Sequence, residues 1–195
     1  MKIKRWIALL LVAAMLLLAG CSIFISEEDK GNIEIVPQIA DVKSDEVTAT
    51  LYFPYDDPSG MLFLLSGDTR KISIAPNERL EAAVLREMIS GPSDGKSGLK
   101  TVLNPDISVT SVQVNGEYLF LTLSKEFLQP NGIADGWEQD EEIAKQRNDL
   151  QKLVTYSVVN TLLLLGQDYS RVQIMVDKTG DGSGERLTYA ELGFV

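Results

Sequence analysis

The chain has 195 residues and a net charge of -10 at pH 7, with no histidine and a single cysteine. Without histidine, His-based triads, Cys–His dyads and His-ligated zinc sites are excluded. The enzymatic options that survive need serine with lysine, or paired carboxylates. An acidic surface repels nucleic-acid phosphates and anionic lipid headgroups, so we expect no nucleic acid among the partners.

The first twenty residues have the three-part layout of a secretory signal. Three basic residues precede an apolar run, 6–19, which is shorter than the roughly 20 residues that a membrane-spanning helix needs. The run ends in Leu-Ala-Gly-Cys at positions 18–21, a string typical of a lipobox. We therefore predict cleavage between Gly20 and Cys21 and attachment of a diacylglycerol to the Cys21 thiol. The alternative, a buried and unmodified cysteine behind the leader, fits this context less well.

The residues that follow Cys21 predict a tether. Cleavage removes three basic residues and no acidic one, so the net charge of the mature chain falls from -10 to -13. Residues 21–46 are mixed and acidic, and about 25 flexible residues span roughly 25 to 30 Å. The two acyl chains of a diacylglycerol give stable anchoring. The sequence thus predicts one domain, 47–195, held by lipid at the extracytoplasmic face of the cell membrane.

The first elements of the domain predict a hairpin. Residues Val47–Phe53 alternate apolar and polar side chains, as a strand with one buried face does. A second apolar run, Met61–Leu65, is followed by the turn-forming residues 66–68 and by a short alternating segment, 71–74. This order favours a hairpin whose turn lies at Ser-Gly-Asp, 66–68.

Two stretches have helical spacing of apolar residues. Asn77 is placed to cap a helix whose apolar stripe runs to Ile89, just before Gly91-Pro92. The second and longer helix lies within Glu138–Leu165 and closes at Gly166; its start is uncertain because its first part is polar. A continuous helix over that range would measure about 42 Å, which is long for so small a domain.

A second hairpin is centred on Asn115-Gly116, the strongest short-range turn signal between alternating strands. With a turn at these two residues, Val112 lies opposite Leu119 and the apolar side chains share a face. A further strand covers Val172–Val176, and a Gly-rich connection, 177–185, follows it. Interleaved strands and helices with hairpins indicate an α+β fold with a mixed or antiparallel sheet.

Four local strings occur in a particular order along this domain. They are Leu51-Tyr52-Phe53-Pro54, the stretch Glu81 to Pro92, Asn115-Gly116 with Leu121 to Phe127, and Leu153 to Thr161 with Val172 to Asp177. Together they resemble the GerM domain of sporulation and spore-germination proteins and of other bacterial lipoproteins. The resemblance spans about Val47 to Asp177. The chain departs from the family's pattern in a polar insert, 128–148, and in the loop 177–185.

The resemblance implies a fold similar to ring-building motifs, in which two helices pack on one face of a small sheet. Such domains act by contact with copies of themselves or with other envelope proteins, not by catalysis. The resemblance therefore implies neither a catalytic residue nor a cofactor, and it implies partners in the cell envelope.

The loop that follows the last strand is the one stretch with metal-site character. Asp177, Thr179 and Asp181, with Gly182 behind them, occupy positions 1, 3, 5 and 6 of an EF-hand-like pattern, and Glu185 adds a carboxylate. Position 12 is threonine, where the pattern requires a bidentate glutamate. The alternative is a Gly-rich hairpin turn without a metal, and it is the favoured interpretation.

Three further groups have both a functional and an ordinary interpretation. Acidic clusters at 56–57 and 140–142 offer paired carboxylates of the kind that glycosidases use, although adjacent acids in an acidic chain are usually solvated. Four aromatic residues either line an exposed sheet face that binds a partner or glycan, or lie beneath the second helix. They are Tyr52, Tyr118, Phe120 and Tyr189. For Ser157 and Thr161 we expect hydroxyls bonded to helix carbonyls.

From the sequence we therefore predict a lipid-anchored, non-enzymatic lipoprotein with a GerM-like domain. It acts through protein contacts, or self-association, in sporulation, germination or another envelope process. The alternative is a lipoprotein module that binds calcium through the loop 177–185 or cell-wall glycan through the aromatic face. A glycan-cleaving enzyme is the third and weakest hypothesis.

Overall fold

The structure, a computed structural model, describes residues 45–55, 64–133 and 140–194. These residues belong to a compact unit that spans 41–195. The predicted signal segment, the lipidation site Cys21 and nearly all of the predicted tether lie outside the described residues. Within the described ranges, no helix combines the length and the apolar character that a membrane crossing requires.

The described residues form six strands, two α-helices and a short 3-10 helix. In chain order they are β1 (Asp45–Pro54), β2 (Leu65–Ile74), α1 (Leu80–Ile89), β3 (Val109–Asn115), β4 (Tyr118–Ser124), the 3-10 helix (Lys125–Leu128), α2 (Glu141–Leu163), β5 (Arg171–Asp177) and β6 (Glu185–Arg186). The strands make a two-stranded sheet, β1-β2, and a four-stranded sheet of order β3-β4-β5-β6.

The two-stranded sheet pairs β1 with β2 antiparallel along all ten residues of each strand. The predicted turn at 66–68 is wrong, because Ser66, Gly67 and Asp68 lie inside β2, opposite β1. Long-range pairing with β1 overrides the local turn preference of these residues. Glycine also suits the position, since a Cβ at Gly67 would lie 2.7 Å from the methyl group of Thr50.

The four-stranded sheet is mixed: β4 runs parallel to β5 and antiparallel to β3, and β5 is antiparallel to β6. Its β3–β4 hairpin was predicted, but the predicted register is off by two residues. Asn115 pairs with Tyr118, so the turn residues are Gly116 and Glu117, and Val112 faces Leu121. Gly116 has a φ of 57°, which suits the first central position of a type II′ turn. A shift of two keeps every side chain on its predicted face.

The two helices begin differently. α1 starts at Leu80 behind Arg79, which makes no side-chain cap. Asn77 has a φ of 64° and lies before the helix, so the prediction that it caps α1 is wrong. α2 starts at Glu141, and the Asp140 carboxylate caps it by accepting from the N–H groups of Glu142 and Ile143.

The core lies between the helices and one face of the four-stranded sheet. Leu119, Leu121 and Leu123 of β4 are at most 1% exposed, and they belong to one buried cluster with side chains of both helices. α1 packs against β2 and β3, and α2 packs against β1 and β5. The predicted α+β class, with two helices and a mixed sheet, is therefore confirmed.

Candidate functional site

The side of the four-stranded sheet that faces away from the helices carries a distinct set of side chains. Successive residues of a strand point to opposite faces, so the neighbours of the buried leucines of β4 point outward. We call this set the outer sheet face. By register it comprises Ser111, Gln113 and Asn115 of β3, Tyr118, Phe120, Thr122 and Ser124 of β4, Arg171, Gln173, Met175 and Asp177 of β5, and Arg186 of β6.

An aromatic platform occupies one end of the outer sheet face. The rings of Tyr118 and Phe120 are stacked, with centroids 5.9 Å apart and planes 25° apart. Arg171 lies opposite Tyr118 in the register, 5.1 Å from its ring centroid, and donates a hydrogen bond to its hydroxyl. Tyr118 is 39% exposed, so the platform is open to solvent. Its stacked geometry suits contact with a flat apolar group or a second aromatic ring.

The opposite end of the outer sheet face is closed by the Gly-rich loop. A Cβ at Gly184 would lie 2.8 Å from the Thr122 hydroxyl oxygen and 2.9 Å from the Cβ of Met175. Because the loop backbone lies so close, Thr122 is buried. The accessible part of the face is therefore the end that carries Tyr118, Phe120 and Arg171.

The outer sheet face differs in charge from the chain as a whole. Its one acidic member, Asp177, is buried at the loop end, where its carboxylate accepts loop N–H groups, and two members are arginines, Arg171 and Arg186. The full chain, by comparison, has 28 acidic residues against 18 basic ones. At the accessible end, where no strand residue of the face is acidic, an anionic group can approach with less repulsion than elsewhere on an acidic protein.

The four aromatic residues singled out from the sequence do not form one surface. Tyr118 and Phe120 come together on the outer sheet face, and the helices lie on the other side, so α2 does not cover them. Tyr52 lies in β1, in the other sheet. Tyr189 lies after β6, where it is 80% exposed.

In the loop 177–185, the buried carboxylate of Asp177 organises the backbone. Its two oxygens accept the N–H groups of Gly180, at 2.7 Å, and Gly182, at 2.8 Å. The Thr179 hydroxyl lies at the outer limit of hydrogen bonding to the same carboxylate. Asp181 accepts from the backbone and hydroxyl of Ser183, and the hydroxyl bond is the largest cause of its lowered pKa.

The other acidic residue of the loop faces a lysine. Glu185 lies 3.2 Å from the Lys178 ammonium, which also contacts Glu191 at 2.8 Å. Throughout the described part of the chain, no three residues of the types His, Cys, Asp and Glu are grouped to hold a metal. The calcium hypothesis for Asp177, Thr179, Asp181 and Glu185 stays a prediction, and the observed carboxylate bonds are those of an ordered turn.

Of the remaining candidates, Asp140 and Thr161 have structural partners. Asp140 caps α2, and Glu141 and Glu142 are exposed in its first turn; residues 56–57 lie outside the described residues. We predicted that the Thr161 hydroxyl would bond a carbonyl of its own helix. Instead, its oxygen accepts the N–H of Tyr52 in β1, at 2.9 Å. The same prediction for Ser157 is wrong as well: its hydroxyl is buried and has no hydrogen-bond partner among the described residues.

A C-terminal turn that sequence reasoning missed closes the domain over α2. Thr188 and Glu191 form a reciprocal capping box: the Thr188 N–H donates to the Glu191 carboxylate, and the Glu191 N–H donates to the Thr188 hydroxyl. The hydrogen bond from Lys178, followed by those from Thr188, lowers the pKa of Glu191 to about 2. The string Thr-x-x-Glu at 188–191 was the available signal.

Taken together, the architecture defines an α+β domain whose distinctive side chains lie on an open sheet face. The chain matches the family Germane, described as sporulation and spore germination, over residues 50–179, and it belongs to that family. The predicted resemblance to GerM-type domains is thereby confirmed. No curated protein matches the chain.

Solved structures with a similar arrangement include two from one sporulation protein. The tandem GerMN domains of GerM from Bacillus subtilis match at 18% identity and a TM-score of 0.43, covering 78% of this chain and 44% of that one. The first GerMN domain of the same protein matches at 16% identity and 0.40, covering 73% and 94%.

A third structure is a Clostridium perfringens protein whose name contains the word lipoprotein. It matches at 17% identity and a TM-score of 0.36, covering 70% of this chain and 76% of that one. The chain spans less than half of the tandem-domain structure, since it covers 44% of it.

Proposed function

We propose that this protein is a lipid-anchored, non-catalytic envelope protein whose Germane domain acts through contacts with other proteins in sporulation, germination or a related process. The family match supports the process, and the string Leu-Ala-Gly-Cys at 18–21 supports the lipid anchor. Cys21 carries a diacylglycerol in this proposal, and the domain lies at the extracytoplasmic face of the membrane.

The observation that carries the proposal is the open aromatic platform on the outer sheet face. Tyrosine and arginine are the residue types enriched at the energetically dominant positions of protein interfaces. Tyr118 and Arg171 supply both types side by side, with Phe120 stacked on Tyr118, at the end of the face where no strand residue is acidic. A partner that presents an acidic or aromatic group would match this surface.

The test is a pair of tyrosine variants in the full-length lipoprotein, compared in its own cells. Tyr118→Ala should abolish function and weaken recovery of cross-linked envelope partners about tenfold or more, because an anchor of this kind contributes 2 kcal/mol or more, roughly, to binding. Tyr189→Ala is the matched control: it removes a more exposed tyrosine, 80% against 39%, from outside the platform. Equal recovery from both variants would refute the platform as the contact surface.

A second candidate function, binding of a cell-wall glycan, is favoured by the same face. Stacked rings suit the apolar faces of sugar rings, and Gln113, Asn115 and Gln173 on neighbouring strands offer amides for hydroxyl groups. Sedimentation of the protein with purified cell-wall glycan separates the two functions. Loss of co-sedimentation in Tyr118→Ala, with partner recovery unchanged, would replace protein contact by glycan binding.

A further inference from the structure

β3 is one of the two outer strands of the four-stranded sheet, and its edge away from β4 is open. Asn115 and Tyr118 flank a two-residue turn, so they form a hydrogen-bonded pair, and such pairs alternate along an antiparallel hairpin. The N–H and C=O groups of Val112 and Val114 consequently point away from β4. In the ranges that the structure describes, no backbone hydrogen bond from outside the hairpin reaches either residue.

The edges of the two-stranded sheet differ from the β3 edge, because a helix side chain bonds the backbone at each of them. Thr161 of α2 accepts the N–H of Tyr52 in β1, and the Arg86 guanidinium of α1 donates to the C=O of Ser73 in β2, at 2.8 Å. β3, with the sequence VTSVQVN, has neither such a bond nor a charge nor a proline, which are usual protections of an exposed edge. Its β-bulge lies between Val109 and Ser111 and leaves Val112 to Asn115 in regular pairing.

We propose that β3 pairs with β3 of a second copy of this chain, antiparallel about a two-fold axis at Gln113. In this register Val112 of one copy faces Val114 of the other, and their outward N–H and C=O groups bond to one another. The two Gln113 side chains meet on the outer sheet faces, and the sheet becomes continuous through the pair. This inference rests on the proposed function, action through protein contacts, and names one such contact.

A second copy suits this edge because of charge. Two mature chains that each carry a net charge of -13 repel one another over most of their surface, and β3 offers a contact strip without any charged residue. The contact is isologous, so it closes at two copies. One strand pair buries less than the roughly 1,200 Å² of a stable interface, so pairing depends on the concentration that a shared membrane provides.

Disulfide trapping in membranes tests the pairing. Gln113 would lie directly opposite its equivalent in a non-hydrogen-bonded pair, with Cα atoms about 4.5 Å apart, within disulfide reach. We expect Gln113→Cys in the full-length lipoprotein to form at least about fivefold more disulfide-linked homodimer under mild oxidation than Ser73→Cys. Ser73 is an exposed residue of β2 whose carbonyl Arg86 already bonds. The parent chain gives the background from Cys21.

A second substitution separates pairing from folding. Val114→Pro removes only an outward N–H, which no hairpin bond uses, so the double variant with Gln113→Cys should fold yet lose the homodimer. Val114→Thr keeps the N–H and should retain it. Absence of homodimer from Gln113→Cys, or its persistence in the proline variant, overturns the pairing. If Tyr118→Ala still loses function in that case, the contact function stands without this contact.

Discussion

The two sheets of this domain differ in how their edges and faces are used. In the two-stranded sheet, residues of both helices bond the edge backbone, and Asp68 and Arg70 form a buried polar pair on β2. In the four-stranded sheet, one face is buried under the helices while the other face and the β3 edge are open. Side chains of the helices therefore bond both edges of the first sheet, whereas the second sheet adds one face to the core and leaves part of its other face and its β3 edge available for contacts.

This difference is reflected in how each sheet places its arginines. Arg70 is 18% exposed and donates to the C=O groups of Glu87 and Gly91, which ties β2 to the end of α1. Arg171 is exposed, and its guanidinium bonds and stacks on Tyr118, which is itself open to solvent. The same residue type thus serves the fold in one sheet and a surface in the other.

The largest effect that we predict contrasts these two arginines. Arg70→Ala removes a donor from the C=O groups of Glu87 and Gly91, of which Glu87 keeps the Ser90 hydroxyl, and it removes the cation beside buried Asp68. It should cost about 3 kcal/mol of unfolding free energy. Arg171→Ala should change stability by less than about 0.5 kcal/mol. Urea denaturation of both variants measures the contrast. Equal losses of stability would contradict the conclusion that Arg70 supports the fold while Arg171 belongs to a contact surface.

A smaller effect should separate two hydroxyls of α2. Thr161→Val keeps the side-chain shape but strips the Tyr52 N–H of its acceptor, which should cost about 1 to 3 kcal/mol. Ser157→Ala removes a buried hydroxyl that has no partner, so it should be neutral or slightly stabilising. Thermal unfolding of both variants tests this. If Ser157→Ala lost as much thermal stability as Thr161→Val, the hydrogen bond from Tyr52 could not be the reason for the effect at Thr161.

The smallest effect concerns the turn that packs on α2. The pKa of Glu191 is lowered from 4.5 to about 2, chiefly by the Lys178 hydrogen bond. A carboxylate with a lowered folded-state pKa stabilises above its unfolded value, and that contribution is lost as pH falls from about 4.5 through 2. Solvent screening limits this contribution to the free energy of unfolding to about 1 kcal/mol. Glu191→Gln should flatten this part of the stability profile; an unchanged slope would exclude Glu191 as its source.

Sequence patterns predicted the faces of the strands better than their partners. Alternation placed Leu119 and Leu121 on the buried side, and that assignment survived a register error of two residues, because faces repeat with a period of two. The partner of β1 was missed because the turn residues around Gly67 form part of a strand once β1 lies beside them. Pairing across such distances is set by packing, not by local preference.

The open parts of the molecule were harder to foresee than the buried ones. Tyr118 and Phe120 were recognised as candidates. Whether α2 covers them depends on which face of the sheet the helices pack against. The exposed edge of β3 depends in the same way on the order of strands in the sheet. Both properties arise from the tertiary arrangement, so no local pattern in 109–120 could reveal them.

The close contact at Gly193 bears on the order of assembly. A Cβ there would lie 2.3 Å from the carbonyl oxygen of Asn148, so backbone meets backbone, and only glycine at a φ of 85° fits. The first half of α2 therefore gains this neighbour from a segment some 45 residues further along the chain. β5 likewise lies beside β4 only after the chain has passed through α2. Contacts this distant in sequence make the domain fold as one cooperative unit rather than segment by segment.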